Sequence, residues 1–176
     1  MNADIVIFQE METSEEANTS SRNIQLDWVL DNVDGNTASA VGNPSDFPVT
    51  QPILFKESLY ILEKLGFFFF SDNPDVIYSK PWSGRWPAFT TWVLIRNLSD
   101  NKELYIYNVH LDAFSRKNRT RGINLVMNRI HDRLSPDIPV ILAAVFIWVW
   151  SESLRSYRSY FPYTGTQDSG GWNSSE

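Results

Sequence analysis

Three polar residues at alternate positions close an apolar stretch: Asn108, His110 and Asp112 in Tyr105-Ile106-Tyr107-Asn108-Val109-His110-Leu111-Asp112. Residues two apart in a strand share a face. An amide, an imidazole and a carboxylate are therefore expected on one side of a sheet, with Tyr105, Tyr107, Val109 and Leu111 on the other. This is the chemistry of a site that handles phosphate, at the strand end where open α/β sheets bind ligands. The plain alternative is a strand running into a turn, for which Asn, His and Asp are ordinary punctuation. A second element argues against it. Asp4-Ile5-Val6-Ile7-Phe8-Gln9-Glu10 is a continuous apolar run of the kind buried on both faces of a parallel sheet, and it ends in Gln9-Glu10. A carboxylate at the exit of a buried strand is a hard oxygen ligand suited to a magnesium-type cation.

The elements that must position these residues follow from periodicity. After the Gln9-Glu10 strand end, Ser14, Glu15 and Glu16 suit a helix start, and the apolar spacing from Ile24 to Val33 extends that helix to a stop near Asn32 to Gly35. Residues 35–50 read as a surface loop. Pro52 to Phe55, Leu59 to Leu62 and Phe67 to Phe70 read as three short strands of an antiparallel meander, the four phenylalanines facing alternately into two apolar layers. Residues 72–87 carry Pro74, Pro81, Pro87, Tyr78, Trp82, Arg85 and Trp86 in a loop that could read substrate. Arg85 is suited to grip a phosphate with two parallel hydrogen bonds.

Phe89 to Arg96 and Glu103 to His110 are expected as a hairpin. A helix capped by Ser115 follows, with Ile123, Val126, Met127, Ile130 and Leu134 as its buried stripe. Arg116, Lys117, Arg119 and Arg121 crowd its first turns, the unfavourable sign for the helix dipole, as expected where an anion is met. His131 on the same helix reads as structural or exposed. Val140 to Trp150, rich in β-branched and aromatic residues, reads as a buried strand.

The 176 residues are one domain by length. Residues 1–164 are assigned to it and 165–176, rich in Gly, Ser, Thr, Asn and Gln, to a frayed tail. With 43% hydrophobic residues and 11 Phe, 7 Tyr and 7 Trp, the chain has ample material for a core. It has no cysteine, which excludes disulfides, thiolate nucleophiles and thiolate metal sites. No secretory signal is visible and the compartment is not readable. The longest apolar run is shorter than the roughly 20 residues of a membrane-spanning helix. The net charge of −6 hides an asymmetry, since residues 1–50 hold nine acidic and one basic residue and residues 80–133 hold ten basic and four acidic. Cations beside carboxylates are what a phosphate-handling cleft needs. A pI of 4.9 argues against strong non-specific binding to a nucleic-acid backbone.

Taken in order, Gln9-Glu10, the Leu65 to Asp75 stretch, Ala88-Phe89-Thr90-Thr91-Trp92, Asn108-x-His110-x-Asp112 and the helix from Ser115 to Ile130 resemble the endonuclease/exonuclease/phosphatase family over about Asp4 to Trp150. The resemblance implies a two-sheet α/β sandwich with helices outside, incomplete at both ends. It also implies hydrolysis of a phosphate ester (nucleic acid, lipid phosphate or small molecule) by metal-assisted water attack. Glu10 would hold Mg2+, or Mn2+ in its place. His110 would donate to a phosphate oxygen, Asn108 would orient the substrate, Asp112 would support His110 or the adjoining loop, and Arg85 would bind substrate.

The family's Gly-Asp-x-Asn is replaced by Ala144-Val145-Phe146-Ile147, and no Asp-His pair follows it. The expected consequence is weak metal binding and impaired activity. The alternative is an inactive remnant or an interaction module that uses the aromatic loop 72–87; no protein partner is evident in the sequence.

Overall fold

The computed structural model describes residues 3–11, 23–33, 35–38, 48, 50–82, 87–133 and 135–145. The elements are β1 (Ile5–Ile7), α1 (Ile24–Asn32), β2 (Asn36–Ala38), β3 (Ile53–Lys56), β4 (Tyr60–Phe69), β5 (Phe89–Asn97), β6 (Glu103–His110), α2 (Arg116–His131) and β7 (Val140–Val145). They form two sheets, one of three strands in the order β1-β3-β2 and one of four in the order β4-β5-β6-β7. The architecture is the expected α/β sandwich.

Strand alternation explains the layers. Ile5, Ile7, Ile53 and Phe55 of the small sheet and Val93, Ile95, Leu104 and Ile106 of the large one meet in a shared core. Each large aliphatic side chain buried there stabilises by roughly 1.5–3 kcal/mol. On the opposite face of the small sheet, Val6, Phe8 and Leu54 pack with Met11 and with Leu26, Val29 and Leu30 of α1. The Asn23 side chain caps α1 by accepting from Leu26 N–H (3.0 Å). The other face of the large sheet carries α2, whose Ile123 and Val126 are buried. Gly122 lets this helix come close, since a Cβ there would lie 3.0 Å from Leu111 and 3.4 Å from Phe70.

Two expectations are corrected. The β1 run pairs antiparallel with β3, not within a parallel sheet; it is apolar on both faces because a second sheet covers one and α1 the other. The meander is absent, because β3 belongs to the small sheet and residues 60–69 form one ten-residue strand of the large sheet. Its Glu63-Lys64 interruption is a register shift between Leu62 and Lys64, which an edge strand absorbs without ending. Finally, Ser14 to Glu16 and the segment from Phe146 onward, including Ile147 and the tail, fall outside the described residues.

The β5/β6 hairpin, the Ser115 cap (Asn118 N–H to Ser115 Oγ, 3.2 Å) and the strand from Val140 are found as expected. β7 pairs parallel with β6 and brings Val145 into register with His110. On the helix side of the large sheet, Trp92 stacks on Tyr107 (6.2 Å) and tilts against Tyr105 (6.1 Å). Burial, with a further contribution from Tyr105, pushes the Tyr107 phenol up to about 12. A tyrosine in the unfolded chain titrates near 10.0. The folded state thus favours the neutral phenol, and that stability is fully present below pH 10 and lost as pH rises from about 10 to 12. Tyr107→Phe should lose less stability over this window than the unmodified protein, as denaturant titrations at pH 9 and 11.5 would show. An equal loss in both would mean that Tyr107 does not supply the effect.

Candidate active site

The site lies where the space between the sheets changes from apolar to polar. The Ile5, Ile7 face continues to Gln9, the Ile53, Phe55 face extends back to Gln51, and the Leu104, Ile106 face runs on to Asn108 and His110. Three carboxamides thus meet beyond the aliphatic core. Gln9 Nε2 donates to Asn108 Oδ1 (2.7 Å) and to the Val109 carbonyl (3.0 Å). Asn108 Nδ2 donates to the carbonyls of Phe8 (2.7 Å) and Gln51 (3.3 Å). Thr91 Oγ1 also donates to the Gln51 carbonyl (2.7 Å). The Gln51 side chain, with its nitrogen turned toward the large sheet, donates to the carbonyls of Phe89 and Asn108 (3.3 Å each).

Beyond this layer, His110 Nε2 sits 2.9 Å from Glu10 Oε1. The carboxylate side is open, with the Glu10 side chain 68% exposed and that of His110 18%. Simple alternation would send Glu10 toward α1, the side that Val6 and Phe8 face. Instead Glu10 has φ 56°, in the left-handed region, and this turn brings it to His110. A non-glycine residue held there costs on the order of 1–3 kcal/mol, a strain that surrounding structure must sustain. The flanking bonds Phe8 N–H to Pro52 O (3.1 Å) and Met11 N–H to Thr50 O (3.0 Å) do so.

The sequence-predicted residues separate into two groups. Glu10 and His110 come together, though from different sheets. Asn108 lies beneath them, fully buried with its amide bonded to protein groups, so it does not reach a substrate in this arrangement. Asp112 turns away into the next turn, accepting from Phe114 N–H (2.7 Å), Ser115 N–H (2.8 Å) and Asn118 Nδ2 (3.1 Å). It therefore supports the adjoining loop, one of the two places expected for it. Arg85 and Trp86 fall outside the described residues. Gln51 was missed; only its two-residue spacing from Ile53 on the same face could have indicated it.

The basic start of α2 does not await an anion at every position. Arg119 Nη1 donates to the carbonyls of Asp112 (3.1 Å) and Ala113 (3.2 Å). Arg121 lies 3.9 Å above the Trp82 ring and 3.3 Å from Asp72, and farther along Arg129 bonds both oxygens of Asp75 at 2.8 Å. These partners hold loop 72–82 onto the helix. Trp82 itself stacks on Phe70 (6.3 Å) and donates to Asp72 (2.8 Å). His131 is exposed and lies beside Asp132.

Among the described residues no three His, Asp or Glu side chains gather as a metal cluster. Glu10 offers an exposed carboxylate, and the neighbouring Gln9 Oε1 is a buried oxygen with no hydrogen-bond partner. Magnesium is commonly held by one or two carboxylates while it keeps several waters. Among the described residues no helix is long and apolar enough to cross a membrane.

No protein-family model and no curated protein matches the sequence. Solved structures do. A mannosyl-6-phosphatase from Bacteroides thetaiotaomicron VPI-5482 aligns with TM-score 0.67 and 22% identity over 79% of this chain. An endonuclease/exonuclease/phosphatase protein from Bacteroides vulgatus aligns with TM-score 0.66 and 15% identity over 80%. D. rerio TDP2, in complex with a single-strand DNA product, aligns with TM-score 0.53 and 13% identity over 80%. The chain covers 52%, 54% and 46% of these proteins, about half of each. With two packed sheets, outer helices and Gln9-Glu10 facing Asn108-x-His110 between them, the chain has the fold of the endonuclease/exonuclease/phosphatase proteins.

Proposed function

We propose that the Glu10 and His110 end of the sandwich is a phosphate-ester site, that it hydrolyses its substrate slowly, and that Glu10 holds magnesium, or manganese in its place, weakly. The observation that carries this reading is the 2.9 Å approach of Glu10 Oε1 to His110 Nε2, delivered by strand ends from two different sheets over a buried carboxamide layer. A divalent cation bound at Glu10 would neutralise phosphate charge and stabilise the leaving oxygen. His110 would turn its Nε2 N–H from Glu10 to a non-bridging phosphate oxygen. Asn108 acts through the strand, holding His110 in place from beneath. Asp112 fixes the turn after His110, and Arg85 enters the reading as a phosphate contact on its sequence alone.

Slow turnover follows from β7, which sets Val145 opposite His110 where the family resemblance calls for a carboxylate. The structural relatives include a mannosyl-6-phosphatase and a protein in complex with a single-strand DNA product, and the substrate class proposed here is a phosphate ester of nucleic acid, lipid or a small molecule. Assays with p-nitrophenyl phosphate and its bis ester, with magnesium and with manganese, should show slow metal-dependent release. Glu10→Ala and His110→Ala should each reduce it at least about a hundredfold, the lower end for a positioned acid or base. Turnover indifferent to both substitutions would overturn the reading.

A further inference from the structure

We propose that Gln9 is the positioning residue of this site, clasping the two strand ends so that Glu10 is presented to a cation beside His110; the inference rests on the phosphate-ester reading above. Gln9 is one bond from Glu10 in sequence, yet its contacts are with the other sheet: Asn108 Oδ1 and the Val109 carbonyl, which immediately precedes His110. A single carboxamide thus ties the residue before Glu10 to the residue before His110. Asn108 closes the loop by donating back to the Phe8 carbonyl, which precedes Gln9. The result is a reciprocal clasp of two amides, each bonded to the other's strand.

Its geometric consequence is at Glu10. Left-handed backbone in a non-glycine residue persists only where neighbours hold it, and on the N-terminal side the neighbour is Gln9. With the clasp in place, Glu10 leaves the strand at φ 56° and reaches the imidazole. Without it, only the backbone bond from Met11 N–H to Thr50 O holds the stretch after Phe8, and the carboxylate is no longer fixed beside the imidazole. Groups behind a metal ligand that fix its orientation commonly change affinity by about 10–100-fold when removed. The clasp stands in that relation to Glu10.

The chain has only two histidines, which makes the test direct. Manganese broadens the imidazole proton resonances of a nearby histidine, and the exposed His131 serves as the internal reference. In the unmodified protein, His110 should broaden before His131, and Glu10→Ala should remove the preference; failure of either result rejects the underlying phosphate-ester reading and this inference with it. Given that preference, Gln9→Ala should require roughly tenfold more manganese for the same His110 broadening. Gln9→Glu, which keeps the bulk but places an acceptor against Asn108 Oδ1 and Val109 O, should behave alike and covers the case of an unfolded alanine variant. Thr91→Val removes a different buried bond between the sheets and should leave the broadening unchanged. Unaltered broadening in both Gln9 variants, or an equal loss in Thr91→Val, overturns Gln9 as a positioning residue while leaving the Glu10 and His110 site standing.

Discussion

Asn108→Ala should lower the unfolding free energy by about 3 kcal/mol, combining a buried group left without its partner with the cavity beneath it. Asn108 is fully buried, and its amide joins Gln9, the Phe8 carbonyl and the Gln51 carbonyl. Removing it leaves the Phe8 carbonyl without this donor and opens the seam between the sheets. Asn108→Asp separates the hydrogen bonds from the volume. Its first oxygen can still accept from Gln9, but its second replaces a donor and faces two carbonyls. Burial and those carbonyls disfavour the ionised form, so the folded carboxyl should titrate above the usual value of about 4. A raised folded pKa contributes stability that is present below pH 4 and is lost as pH rises through the folded value. Asn108→Asp should therefore be markedly less stable at pH 7 than at pH 4, relative to the unmodified protein at each pH. Urea denaturation with an unchanged m-value measures both effects, and a loss under about 1 kcal/mol for Asn108→Ala would show that the carboxamide layer does not hold the sheets together.

Gly66→Ala should cost about 2–3 kcal/mol, the upper part of the range for overpacking a formed interior. Gly66 faces Trp92 across the β4/β5 pair, and a Cβ there would lie 2.5 Å from Cζ2, 2.6 Å from Cε2 and 2.7 Å from Nε1 of the indole. The ring is rigid, and it is backed by the Tyr105 and Tyr107 rings, so it cannot withdraw without moving them. In a Trp92→Leu background the same change should be close to neutral, since the obstructing ring is gone and alanine loses less chain entropy than glycine on folding. A double-mutant cycle reads the difference as a coupling energy. Equal penalties in both backgrounds would mean that the glycine serves the backbone and not the indole.

Local pattern fixed the elements around the site better than their partners. The β5/β6 hairpin, the Ser115 cap and the strand from Val140 were legible because each depends on residues within a few positions of one another. The sheet to which β3 belongs was not legible. Ile53, Leu54 and Phe55 are apolar on both faces, and such a run says that both faces are covered without saying by what. For the same reason the β1 run imitated a parallel strand. The Glu63-Lys64 pair imitated a break because charges on an edge strand remain solvated, and Arg96 meets Glu63 at 2.6 Å.

At the site, alternation placed Asn108 and His110 on one face, but the sequence could not reveal that Gln9 and Gln51 cover Asn108 and leave His110 accessible. Nor could it show that Arg119 and Arg121 are bonded to Asp112, Ala113 and Asp72, since Arg121 meets Asp72 across 49 positions of chain. The positive φ at Glu10 had no sequence signal at all, because glutamate is not a residue that favours it.

The central claim is that Glu10 and His110 form one cation-assisted phosphate site, and crystals grown with manganese and inorganic phosphate test it most directly through the anomalous signal of the metal. The account predicts a manganese peak at about 2.2 Å from a Glu10 carboxylate oxygen, an ordinary oxygen-ligand distance, with a phosphate oxygen within hydrogen-bonding distance of His110 Nε2. Manganese bound only away from Glu10, or phosphate bound only at the α2 arginines with His110 still against the carboxylate, would contradict it.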